Sequence, residues 1–93
     1  MALFKAEASF KITGRGFVIA GDIVEGNIKV GDKLIVPEFE QLHSKEIIGC
    51  EFIDNIGEGT FKIGLMIAFQ TQEELIDLVR LDLENKLIEA KRT

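Results

Sequence analysis

Cys50 and His43 are the two side chains that could together perform nucleophilic catalysis, since each is the single residue of its type in the 93-residue sequence. A thiol becomes a catalytic nucleophile when a neighbouring base activates it. Cys50 lies in the apolar run EIIGCEFI, where a free cysteine is usually a small buried hydrophobic side chain. His43 falls in a predicted loop. We therefore expect no catalytic pair, and a single cysteine excludes an intrachain disulfide and a cysteine-cluster zinc site.

Two acidic side chains, Asp54 and Glu58, could in principle form a general acid–base pair across residues 55–57. Acidic side chains in loops are far more often simply solvated, and this segment lacks the ligand spacing of a calcium loop. Gly57 and Gly59 are too closely spaced for a phosphate-binding loop and suit a turn. We predict no catalytic, metal-binding or cofactor-binding site, and hence no enzymatic activity.

The formal net charge of the chain is −5. Nucleic-acid binding depends first on positive charge set against phosphates, so this charge argues against broad RNA or DNA binding and leaves room for one small contact with an RNA end. No apolar run approaches the roughly 18 residues of a membrane span. The N-terminal segment carries Lys5 and Glu7, which argues against a signal peptide. We expect one cytoplasmic domain over residues 1–93, without membrane contact.

Alternation of apolar and polar residues over 4–12 predicts a half-buried strand. Glycines at positions 14, 16, 21, 26 and 31 then punctuate β-branched residues, a pattern that suits strands which curl and turn back sharply. We predict that residues 3–69 form a closed β-barrel. Its further strands are expected at about 17–24, 28–30, 33–36, 45–53 and 61–69.

The hydrophobic period changes after Thr71, which with Glu74 fits a helical capping box. Apolar residues then recur at steps of three and four, which predicts an amphipathic C-terminal helix over 72–90, with a possible break near Arg80. The apolar stripe consists of Leu75, Ile76, Val79, Leu83, Leu87 and Ile88. This stripe could pack on the chain's own barrel or against a second copy.

The segment GRGFVIAGDIVEGNIKVGDKLIV resembles the second domain of translational GTPases, the β-barrel of elongation factor Tu and its relatives. The GRG motif at 14–16, the glycine-bearing hairpin and the IKVGD motif at 28–32 carry the resemblance, which extends over about residues 8–69. It implies a mainly β fold with a small, Greek-key-like closed barrel. The C-terminal helix is expected where the family has its closing strand.

Two departures from the family bear on function. The sequence contains no G-x-x-x-x-G-K-[ST] loop, so we expect a stand-alone barrel without a GTPase domain. Residues 60–62 and 68–69 differ from the matching positions of the tRNA-carrying members, and in those members this part of the barrel lies near the aminoacyl end of tRNA. The differences therefore count against a tRNA-carrying role.

The resemblance implies a non-catalytic binding module with a protein partner of unknown identity. Arg15, Phe17, Phe61 and Lys62 form the candidate binding surface, because the matched positions lie near loops and carry donors or aromatic area. Each has a structural alternative: the phenylalanines as core residues, and the two basic residues as solvated side chains. Two other functions stay open, namely a structural homo-oligomer (a homodimer through helix 72–90) and RNA-end binding related to translation.

Overall fold

The computed structural model describes residues 2–12, 16–55 and 60–92, and for residues 53–55 and 60–61 it describes the backbone alone. Within these residues the chain forms six strands and one helix. The strands are β1 (Ala2–Ile12), β2 (Gly16–Glu25), β3 (Lys33–Ile35), β4 (Ile47–Asn55), β5 (Thr60–Ile67) and β6 (Leu87–Lys91), and the helix is α1 (Gln72–Val79). The mainly β class is therefore confirmed.

The strands form one antiparallel sheet in the order β3-β6-β1-β2-β5-β4. The long hairpin of β1 and β2 lies at its centre, with Phe10 opposite Val18 and Ala6 opposite Gly21. A register shift between Ala6 and Ala8 leaves Glu7 as an extra residue in β1, and such a bulge increases the local twist of a strand. The sheet curls strongly and forms a half-barrel.

The two edges of this sheet approach each other at one end. The Leu34 N–H donates to the Lys45 carbonyl at 3.0 Å, and the Ile47 N–H donates to the Asp32 carbonyl at 2.9 Å. An isolated antiparallel bridge pairs Lys33 with Glu46 between these bonds. Strand β3 is thus joined by backbone hydrogen bonds to the residues that lead into β4.

The core lies on the concave face of the sheet, because alternate residues of each strand point to that side. In β1 these are Ala2, Phe4 and Ala6. The alternation predicted from Phe4 onward holds up to Ala6, and Ala8, beyond the bulge, is exposed. The largest fully buried side chains come from every part of the chain: Phe4, Phe17, Ile19, Leu34, Val36, Leu42, Ile47, Leu65, Ile67, Leu78, Leu83 and Ile88. A single apolar cluster therefore connects the sheet, the loop after β3 and the helix.

Gly21 allows β1 and β2 to approach closely at the bulge. A Cβ atom at this position would overlap the backbone carbonyl of Lys5, and the backbone cannot move aside as a flexible side chain can. Glycine is the residue that permits such an approach.

Helix α1 begins as the capping pattern predicts. Thr71 is the N-cap, and its Oγ1 accepts a hydrogen bond from the Glu74 N–H at 3.1 Å. The Glu74 carboxylate in turn accepts from the Gln70 N–H at 3.1 Å. Leu75 and Leu78 are buried in the core, so the helix packs on its own sheet.

The predicted helix over 72–90 is wrong beyond Val79, where α1 ends. Asn85 has a left-handed backbone with φ of 61°, and the chain then continues as β6. Ile88 and Ala90 are buried while Leu87 is exposed, which is the period of a strand. Strand β6 pairs with both β1 and β3. The expectation that a helix replaces a last strand is therefore also wrong, because pairing with two sheet strands outweighs the local helical spacing.

Candidate functional site

The structure describes the side chains of two of the four predicted surface residues, and it places them on opposite faces of the sheet. Phe17 is 0% exposed and belongs to the core, which agrees with the structural alternative given for it in the sequence analysis. Its position in β2 points to the concave side, where aromatic area stabilises packing. Arg15 lies outside the described residues. Phe61 has its backbone in β5, and its side chain lies outside the described part. Lys62 points to the convex face.

Lys62 joins three neighbouring strands on that convex face. Its Nζ lies 3.0 Å from Glu7 Oε1 in β1 and 3.0 Å from Asp22 Oδ2 in β2. The hydrogen bond to Asp22, followed by the one to Glu7, raises the pKa of Lys62 above its ordinary value. We call these three side chains the Lys62 cluster. Because two carboxylates already surround the ammonium group, it is poorly placed to bind a further anion.

An apolar hollow of about 200 Å³ opens beside β4 and β5. Phe52 and Ile63 are cross-strand partners within it, and Ile63 packs against the core. The hollow is lined by Ile23, Ile28, Cys50, Glu51, Phe52 and Ile63. Phe52 is 80% exposed, which makes it the most exposed of the large hydrophobic side chains described. The sequence pattern did not single out Phe52, since an apolar residue in a predicted strand is indistinguishable from a core residue.

Cys50 is exposed in this hollow, so its predicted burial is wrong. Partial desolvation of the thiol, and then the negative charge of Asp32, raise the pKa of Cys50. A raised pKa lowers the fraction of reactive thiolate near neutral pH. His43 is engaged elsewhere: its Nδ1 accepts a hydrogen bond from the Val36 N–H at 3.0 Å. This arrangement gives His43 a structural role in the loop after β3.

Among residues 2–12, 16–55 and 60–92, no group of three or more His, Cys, Asp or Glu side chains could hold a metal ion. Asp54 and Glu58, the carboxylate pair of the sequence analysis, cannot be placed here, because Glu58 and the side chain of Asp54 lie outside the described residues. Gly57 and Gly59 also lie outside them. In the same described residues, no helix is long and apolar enough to cross a membrane.

The chain is similar in sequence to elongation factor Tu of the apicoplast of Theileria parva, with 32% identity over 76 residues. The matched region covers 78% of this chain and 18% of that protein. The chain therefore spans less than a fifth of the length of this relative. No family model and no solved structure matches the chain. The similarity supports a domain like part of a translation elongation factor, on a curled antiparallel sheet.

Proposed function

We propose that this chain is a non-catalytic, protein-binding module of the translation-factor β-barrel type. The observation that carries the proposal is the 32% identity with part of an elongation factor Tu over 76 residues. A mainly β, strongly curled sheet with a central glycine-bearing hairpin agrees with it. The activity of the whole elongation factor is not implied, since 18% of its length is matched.

In this proposal the sheet closes into a barrel where its two edge strands, β3 and β4, meet. Backbone hydrogen bonds from residues 31–34 to residues 44–47 support closure at that end. Closure removes exposed strand edges, which otherwise invite pairing with other chains. In this arrangement β3 and β4 are the last pair of neighbours around the barrel.

The partner in this proposal is a basic ribosomal protein or translation factor that inserts an apolar side chain into the hollow beside Phe52. A solvent-exposed aromatic side chain at an apolar pocket is typical of residues that dominate protein interfaces. Glu51 lies at the same hollow, and the chain carries a net charge of −5. Complementary charge accelerates association with a basic partner.

Affinity purification of the tagged chain from native lysate, followed by quantitative mass spectrometry, tests this function. Phe52→Ser removes the aromatic side chain from the hollow. Leu87→Ser is the matched control, because Leu87 is also an exposed apolar strand residue but lies on β6. We expect a ribosomal or translation-factor protein with the unaltered chain and the control, and its loss with Phe52→Ser. An unrelated partner, or equal recovery by all three proteins, contradicts the proposal.

The two other functions considered from the sequence have less support. A homodimer through helix 72–90 would lack most of its expected interface, since α1 is eight residues long and Ile88 is buried in the sheet. RNA-end binding has less support because the Lys62 ammonium is held by two carboxylates. Light scattering of the purified chain at high concentration tests the first, where a monomer is the expected result.

A further inference from the structure

A second groove runs between α1 and the end of β1, and it is separate from the apolar hollow. Its volume is about 310 Å³. It is lined by Lys11, Gln72, Leu75, Ile76, Val79 and Arg80. We call it the helix–strand groove.

The floor of this groove is apolar and partly open to water. Leu75 is buried beneath it, whereas Ile76 is 50% exposed and Val79 is 41% exposed. Residues three and four apart on a helix lie on the same face, so these two side chains form one continuous strip. Covering the strip removes apolar surface from water and favours binding.

Two basic side chains border the strip. Lys11 and Arg80 are both exposed, and neither forms an ion pair with the described residues. The acidic residues Glu73 and Asp77 line a different hollow. Among the described residues, the groove is therefore lined by two cations and by no carboxylate, on a chain whose net charge is −5.

We infer that the helix–strand groove binds an acidic amphipathic segment of a partner protein. Its apolar side chains cover Ile76 and Val79, and its carboxylates meet Lys11 and Arg80. An apolar strip between two cations matches a segment that combines both properties. This inference does not depend on the apolar hollow or on the similarity to elongation factors.

The groove fits a protein segment better than RNA or a second copy of the chain. RNA that is bound as single strands usually stacks its bases on aromatic side chains, and no aromatic side chain lines this groove among the residues that the structure describes. A stable dimer buries about 1,200–2,000 Å² in total, far more than two partly exposed side chains on each copy can supply. A small contact of this kind suits weak, transient binding of a short segment.

Fluorescence polarisation with the full chain tests the inference. The probe is a labelled synthetic helical peptide with leucines on one face and glutamates beside them. Its controls are the same peptide with lysines in place of the glutamates, and a single-stranded RNA oligonucleotide. The groove variant is Lys11→Glu/Arg80→Glu, and the matched variant is Lys91→Glu/Arg92→Glu, which makes the same change in net charge at another exposed site.

We expect the glutamate peptide to bind, and its affinity to fall at least about tenfold in the groove variant while changing little in the matched variant. Ile76→Ser should also weaken binding, and Phe52→Ser should leave it unchanged. The inference is overturned by no binding of the glutamate peptide, by equal binding of the lysine peptide, or by equal effects of the two charge variants. If the RNA oligonucleotide binds more tightly than the glutamate peptide and the groove variant loses that binding, the groove is assigned to RNA. Self-association that the groove variant loses assigns it to a second copy.

Discussion

The Lys62 cluster and the helix–strand groove place basic side chains in two different situations. In the cluster, one ammonium group lies 3.0 Å from each of two carboxylates on neighbouring strands. In the groove, Lys11 and Arg80 have no ion pair with the described residues and border exposed apolar side chains. The single cation of the cluster is engaged within the fold, whereas the two cations of the groove are available to a partner. The neighbouring strands, rather than residue type, decide between these roles.

The largest loss of stability is expected from a mutation in the part of α1 that attaches the helix–strand groove to the core. Leu78→Ala removes a fully buried side chain of α1 and should lower the free energy of unfolding by about 2–5 kcal/mol, because a cavity remains beneath the helix. Urea denaturation measures this loss. Ile76→Ala, on the exposed side of the same helix, is the control and should cost far less. Equal losses would mean that α1 is not anchored through Leu78.

Gly21→Ala acts on the other region, since Gly21 lies next to Asp22 of the Lys62 cluster. The added Cβ collides with the Lys5 carbonyl, so β1 and β2 must separate at a cost of about 1–3 kcal/mol. Chemical denaturation also measures this cost. Gly49→Ala is a milder control, because its Cβ would meet the movable Met66 side chain at 3.0 Å. A stable Gly21→Ala protein would contradict the close approach of the two strands.

Removing the helix cap should have a smaller effect, confined to the groove side. Thr71→Ala deletes the oxygen that accepts from the Glu74 N–H and should cost about 1 kcal/mol. Thr71→Ser keeps the hydroxyl and should retain most of the stability. Thermal unfolding followed by circular dichroism compares the three proteins. If the serine and alanine variants unfold alike, the cap does not hold the helix.

The smallest effect concerns the pH dependence of the Lys62 cluster. Hydrogen bonds to Asp22 and Glu7 raise the pKa of Lys62, so its contribution to stability is complete below the unfolded pKa of about 10.5 and is lost as pH rises through the higher folded value. Lys62→Gln should therefore be less stable than the unaltered chain at neutral pH, and this difference should close at strongly alkaline pH. Denaturation midpoints measured across that range provide the test. A difference that is independent of pH would contradict the ion-pair account.

Local patterns in the sequence predict the parts of this molecule that depend on neighbouring residues. The alternation of residues 4–12 predicts β1, and the capping box predicts the start of α1, because both signals are complete within a few positions. The sequence pattern does not reveal the closing strand β6, because the spacing of Leu83, Leu87 and Ile88 also satisfies a helix. Its identity as a strand depends on pairing with β1 and β3, which lie far away in sequence.

The same limit applies to the candidate surface. The sequence marks Lys62 as a donor on the candidate surface, but its two acceptors lie 55 and 40 residues away, and nothing near Lys62 in the sequence indicates them. The sequence leaves Phe17 with both a surface and a core interpretation, because aromatic residues occur in interfaces and in cores. Its burial depends on how the sheet curls. Arg80 marked a possible break in a predicted helix, and only the packing of α1 beside β1 brings it near Lys11.

The most direct test of the contrast between the two regions is a parallel titration of the glutamate peptide into Arg80→Gln and Lys62→Gln. Each variant removes one positive charge, so their net charges are equal. We predict that Arg80→Gln weakens binding of the peptide and that Lys62→Gln leaves it unchanged. If Lys62→Gln weakened binding of the peptide and Arg80→Gln did not, the division into a structural cation cluster and a binding groove would be contradicted.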